Sequence, residues 1–124
     1  MSGAREIGVF RAKMPRVEVE LPTGGDTLTL EFILDTGFNG DLSLPLRVIG
    51  RLDADKQAPQ VHQIASGEMI VSPSYRLTIL WLGRVRTVEA IALEGNALLG
   101  TGLLLGTQIT IDAVADGEVI IETL

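Results

Sequence analysis

Phe32-Ile33-Leu34-Asp35-Thr36-Gly37-Phe38-Asn39-Gly40 is the stretch on which the reading of this chain turns. Three apolar residues run into an aspartate, and the polar, glycine-bearing segment behind it reverses the chain. An ionised carboxylate at the end of a buried strand is costly unless something supports it. Thr36 offers a hydroxyl able to bond across to another chain, and Gly37 permits a tight backbone turn. By itself Asp-Thr-Gly is a weak signal, because a given tripeptide arises by chance in roughly one chain in fifty of this length. The plain alternative is an aspartate capping its own turn, so the surrounding sequence has to decide.

Upstream, Val17-Glu18-Val19-Glu20-Leu21 and Thr27-Leu28-Thr29-Leu30-Glu31-Phe32-Ile33 alternate apolar and polar residues, as half-buried strands do. Pro22-Thr23-Gly24-Gly25-Asp26 joins them as a turn, so a hairpin delivers Asp35. Pro15 sets off an earlier strand near Ile7 to Arg11. Downstream, Leu42-Ser43-Leu44 is a short strand, and Pro45 opens a short helix through about Leu52. Asp53 to Pro59 reads as a charged loop; Asp53 and Asp55 lack the further oxygen ligands of an EF-hand calcium site.

Strand signals return at Val61 to Ile64, Met69 to Val71, Tyr75 to Trp81 and Val85 to Leu93, with turns at Ala65-Ser66-Gly67-Glu68 and Leu82-Gly83. Ala97 to Gly106 is apolar and glycine-spaced, suited to a buried strand plus one or two helical turns. Ile109 to Val114 and Val119 to Thr123, joined at Ala115-Asp116-Gly117, make a last hairpin. The pattern predicts a mainly-β domain of roughly nine short strands and two short helices, resembling small closed β folds.

The 124 residues suit one domain over 1–124, and no run is long enough to cross a bilayer. The amino end lacks the apolar segment of a secretory signal, so the expected location is cytoplasmic. With no cysteine, disulfides, thiolate nucleophiles and cysteine-held zinc are excluded. Ten basic against 16 acidic side chains give a net charge of −6, without the basic footprint of a nucleic-acid binder. The single histidine, His62, reads as an ordinary polar residue, since no serine sits in a Gly-x-Ser-x-Gly sequence. Glu18, Glu20 and Glu31 read as solvated strand faces.

Taken together, Ile33-Leu34-Asp35-Thr36-Gly37-Phe38-Asn39-Gly40, Leu42-Ser43-Leu44-Pro45 and the later Ala97-Leu98-Leu99-Gly100-Thr101-Gly102-Leu103-Leu104 resemble the retroviral-type aspartic proteases, particularly their small bacterial and cyanobacterial branch. The resemblance covers nearly the whole chain. It implies a retropepsin-like acid-protease fold, a closed β-barrel with one or two short helices and one Asp-Thr-Gly per chain. It implies that Asp35 is catalytic, that Thr36 and Gly37 support the active-site loop, and that the later segment packs beneath that loop. A flap over substrate would run from Val61 to Val71, with Ile64, Ala65, Ser66, Gly67 and Glu68 at its tip. Because the dyad needs two carboxylates, the implied enzyme is a homodimer hydrolysing a peptide or protein, with no metal or organic cofactor, no nucleic acid and no membrane partner. The amino- and carboxyl-terminal strands, near Glu6 to Phe10 and Val119 to Leu124, would interleave between subunits.

The chain departs from viral members at Phe38, where they carry a small residue, and at Thr101-Gly102, where they carry charge. Two alternatives stand beside the protease: a peptide-binding module of the same fold with little hydrolysis, and an unrelated β-barrel interaction domain with Asp35 on its surface.

Overall fold

The structure is a computed structural model and describes residues 4–63 and 66–124. Three strands lead to the aspartate: β1 (Arg5–Arg11), β2 (Met14–Pro22) and β3 (Thr27–Leu34). After it come β4 (Leu42–Leu44), the one-turn helix α1 (Leu46–Ile49), and the long hairpin of β5 (Asp55–Gln63) and β6 (Met69–Trp81). The chain finishes with β7 (Arg84–Ala92), β8 (Leu98–Leu99), α2 (Thr101–Leu104), β9 (Thr107–Ile111) and β10 (Gly117–Thr123). Mainly-β architecture with two short helices is thus what the alternating pattern produces.

The ten strands among the described residues join one sheet in the order β5-β6-β7-β4-β8-β3-β2-β1-β10-β9. Sequential neighbours pair as antiparallel hairpins: β1 with β2, β2 with β3, β5 with β6, β6 with β7, and β9 with β10. The sheet curls so that β2 faces β6, and Val17, Val19 and Leu21 meet Leu77, Ile79 and Trp81 in the core. Buried apolar residues on alternate positions of both strands make this contact, about 10 Å deep in sheets of this kind. Trp81 is fully buried, and its Nε1–H donates to the Leu103 carbonyl at 3.1 Å, fastening α2 to the end of β6.

The sheet is not the expected closed barrel. Closure needs the two outer strands to hydrogen-bond each other, whereas β5 and β9 stand at opposite ends of the strand order. Asp53 to Pro59, expected as loop, contributes most of the first half of β5. Pro59 and Pro73 fall where the β5–β6 ladder shifts register between Gln57 and Gln60, so their missing N–H groups coincide with the irregularity. The terminal strands also differ from expectation. β1 and β10 pair with each other within the chain from Arg5↔Glu122 to Phe10↔Gly117, and β10 carries β9 on its other edge. With both edges occupied, β10 has no edge free for interleaving with a second subunit. Helix α1 ends earlier than expected, at Ile49, with Pro45 as its extended N-cap residue.

Candidate functional site

β3 brings Asp35 to the site through a strand whose last residues, Phe32, Ile33 and Leu34, are all buried. β8, drawn from far along the chain, inserts between β3 and β4: it runs parallel to β3 (Ile33↔Leu98, Leu34↔Leu99) and antiparallel to β4. The Asp35 loop therefore has to cross the end of β8. Asp35 N–H donates to the Leu99 carbonyl at 2.9 Å, which fixes where the loop begins. Asp35 Oδ1 accepts the Gly37 N–H at 2.9 Å, and the Asp35 carbonyl accepts from Phe38 N–H at 3.2 Å. Asp35 is half-buried while Thr36 and Gly37 are exposed, so the tripeptide sits at the surface of an otherwise packed junction.

The segment after β8 clamps this loop. Gly100 N–H donates to Asp41 O (2.9 Å), Thr101 N–H to Phe38 O (2.8 Å) and Gly102 N–H to Gly40 O (3.1 Å). Thr101 Oγ1 also donates to Phe38 O at 3.3 Å. Thr101-Gly102 thus holds the loop through neutral hydrogen bonds. The Phe38 ring turns inward, 7% exposed, and lies over Gly40 and Gly100, where any Cβ would collide with it. Gly37 has a different reason from the one its sequence suggests. Its φ is not positive, and an added Cβ would meet only Asp35 Oδ1, at 3.2 Å, so what glycine leaves at this position is open space.

Asp41, which the sequence shows only as a polar residue of the turn after Gly40, ties that turn to the sheet. Its Oδ2 accepts the Glu89 N–H at 3.0 Å, joining the far end of the loop to β7 just where β4 begins to pair with that strand.

Above the loop lies a cavity of about 220 Å³, walled by Phe38, Ile70, Ile91, Leu93 and Leu98 and edged by Asp35, Gly37, His62 and Gln63. The β5–β6 hairpin forms its roof, with His62 opposite Ile70 and Gln63 opposite Met69. At the hairpin end, Gly67 takes φ +87° and its carbonyl accepts from Gln63 Nε2 at 3.3 Å; Ser66 Oγ accepts from Glu68 N–H at 3.4 Å. Of the five tip residues expected, Ile64 and Ala65 lie outside the described residues. Ser66, Gly67 and Glu68 are exposed.

His62, expected as an ordinary polar strand or loop residue, lies on β5. Its ring stands 6.2 Å from that of Phe38, and its Nε2 is buried without a hydrogen-bond partner among the described residues. Asp35 and His62 are the titratable groups bordering the cavity. A larger hollow of about 500 Å³ lies between the β6–β7 turn and β9, but its charged lining is two arginines, Arg84 and Arg86, with no carboxylate or imidazole. Hollows of about 340, 360 and 300 Å³ do carry carboxylates, at Glu18 and Glu31, at Asp41 and Glu89, and at Asp53 and Asp55, but none of these three adds an imidazole, whereas the Asp35 cavity sets a carboxylate and an imidazole against mostly apolar walls.

Away from the cavity, charge and burial act on two glutamates. Hydrogen bonds from Arg11, at 2.6 and 2.7 Å, and from Arg16, at 3.3 Å, hold the Glu31 carboxyl below its ordinary range. Burial on β1 pushes Glu6 up. Among the described residues no group of three or more His, Cys, Asp or Glu is placed to hold a metal ion, and no helix is long and apolar enough to cross a membrane. No protein-family model, curated protein or solved structure matches this chain.

Proposed function

We propose that this chain is one half of a homodimeric aspartic endopeptidase of the retroviral type. The observation that carries the reading is the position of Asp35: its loop is clamped from below by residues 97–102 and opens onto an apolar cavity roofed by a β-hairpin. One carboxylate cannot act as both base and acid at once. In the dimer, two Asp35 residues meet across a twofold axis and share one proton, because like charges at hydrogen-bond distance do not both ionise.

An extended peptide enters between the hairpin and the two loops. The ionised Asp35 takes a proton from a water molecule, whose oxygen attacks the peptide carbonyl carbon, while the protonated Asp35 hydrogen-bonds the carbonyl oxygen. Collapse of the tetrahedral intermediate breaks the C–N bond, and the proton passes to the departing amine. No metal or organic cofactor takes part. Apolar walls from Ile70, Ile91, Leu93 and Leu98 suit a hydrophobic side chain beside the cut. Exposed Thr36 is free to bond the partner's loop.

Asp35→Asn tests the reading. Cleavage of a peptide library should fall by at least about 10²-fold, with circular dichroism and solution mass unchanged. Undiminished cleavage by the purified variant would sink it. The Asp35 Oδ1 to Gly37 N–H bond favours one second reading, a peptide-binding module, because the same bond serves a purely structural turn. Peptide binding without any hydrolysis, and no gain in affinity for a statine-type tetrahedral mimic, would select that module.

A further inference from the structure

The sheet has two outer strands, and they are finished differently. β5 carries Asp55, Lys56 and Pro59 and breaks register between Gln57 and Gln60, all features that stop another strand from adding to an edge. β9 reads Thr107-Gln108-Ile109-Thr110-Ile111, with no charge, no proline and no bulge, and no described strand pairs with its outer side.

Its outward-facing backbone can be read from the ladder to β10. Asp112 N–H donates to Glu118 O, and Leu124 N–H donates to Gly106 O. Hydrogen-bonded pairs alternate along an antiparallel ladder, so residues 108 and 110 bond β10 as well, opposite 122 and 120. The N–H and C=O groups of Thr107, Ile109 and Ile111 then point away from β10.

We infer that a second copy of this chain pairs along this edge, β9 antiparallel to β9 about a twofold axis at Ile109. The inference rests on the homodimer reading and names the surface that carries it. In that register Ile109 faces its own mate, and Thr107 faces the mate's Ile111 on either side. Every outward N–H and C=O of the three residues is then satisfied, with about six hydrogen bonds across the axis. No other register of two identical strands uses all three residues of both copies. The side chains agree. Ile109 packs against the core, whereas Ile111, on the same face and opposite fully buried Val119, is 42% exposed because the sheet ends there. A second sheet continuing past β9 covers it. Leu105, 80% exposed, lies in the two-residue link between α2 and β9, and α2 begins at Thr101, which bonds the Asp35 loop. β9 therefore continues directly from the segment that holds the Asp35 loop.

The absence of cysteine gives a direct test. Facing residues of a hydrogen-bonded pair lie about 5.5 Å apart between Cα atoms, within disulfide reach, while the diagonal pair 108 and 108 lies beyond about 7 Å. Ile109→Cys should oxidise to a covalent dimer on non-reducing gels, and Gln108→Cys should not. By sedimentation, Ile111→Pro and Ile111→Lys should each raise the dimer dissociation constant at least about 10-fold, with circular dichroism confirming the fold. A dimer unaffected by both Ile111 variants, with no Ile109→Cys crosslink, would overturn this interface and leave the homodimer reading intact. A wild-type chain that sediments as a monomer up to the highest concentration measured would overturn both.

Discussion

Replacing Gly100 by alanine tests whether the clamp beneath Asp35 sets the geometry of the site. A Cβ on Gly100 would stand 2.5 Å from Phe38 O and 2.6 Å from Phe38 Cδ2, and would also run into the Gly40 carbonyl oxygen. Ordinary van der Waals contact begins at 3.4 Å, so the two shortfalls are about 0.9 and 0.8 Å. Two of the three obstacles are backbone oxygens of the Asp35 loop, which no rotamer change can move. Gly100 N–H and Thr101 N–H tie the same loop to this strand, so it cannot retreat without breaking bonds of 2.9 and 2.8 Å. Overpacking of this kind costs about 1–3 kcal/mol, and the upper end applies where backbone has to shift. A displacement of about 1 Å at a reacting group lowers turnover by about 10²-fold. Gly25→Ala is the control: nothing lies within 4 Å of its Cβ and its φ is not positive, so it should be neutral or gain up to about 1 kcal/mol. Urea unfolding and peptide cleavage on the same preparations read both quantities. A Gly100→Ala protein within about 0.5 kcal/mol of wild type that cleaves normally would refute the clamp.

Two further substitutions probe the frame around the site. Glu31→Gln removes the carboxylate that Arg11 and Arg16 engage. Because its folded pKa is depressed, Glu31 adds stability above its unfolded value, and that increment is lost as pH falls through the folded one. Urea midpoints should therefore separate the two proteins near neutrality, by less than about 1 kcal/mol for so exposed a pair, and converge in acid below the ordinary carboxylate range. A difference that persists or grows at low pH would show that the sign is wrong. Ser74→Ala should be neutral or stabilising by about 1 kcal/mol, because Ser74 Oγ is fully buried with no partner among the described residues. A loss above about 1 kcal/mol would mean that the hydroxyl is satisfied after all.

Local pairing was legible and long-range order was not. Period-two alternation in Val17 to Leu21 and Thr27 to Ile33 marked β2, β3 and their hairpin, since one-sided burial leaves its record directly in the side chains. The turns at Ala12-Lys13 and Leu82-Gly83 both have positive φ at their two central residues. Leu82-Gly83 carries a glycine to announce it, whereas Ala12-Lys13 carries neither glycine nor asparagine, so β1 and β2 were separated at Pro15 instead. In fact Pro15 lies inside β2, opposite Phe10. The insertion of β8 between β3 and β4 joins residues more than 50 positions apart. No periodicity encodes such a contact, and the resemblance of the Leu98-Leu99-Gly100 segment to a known family was its sole herald.

The same limit explains the site. Asp35, Thr36 and Gly37 were found because a motif names them, but the residues that give Asp35 an environment come from elsewhere in the chain. Asp41 looked like turn polarity because the N–H it satisfies belongs to Glu89, on a strand it meets only after folding. His62 looked ordinary because sequence shows its neighbours Val61 and Gln63, not the Phe38 ring it faces. The closed-barrel expectation failed for a related reason. Alternation says which face of a strand is buried and is silent about which edges meet, because edges are made of backbone common to every residue. The residues that do mark an edge are those that forbid pairing: Asp55, Lys56 and Pro59 on β5, and none on β9. Both outer edges are the same backbone, and what distinguishes them is which side chains oppose the addition of a further strand.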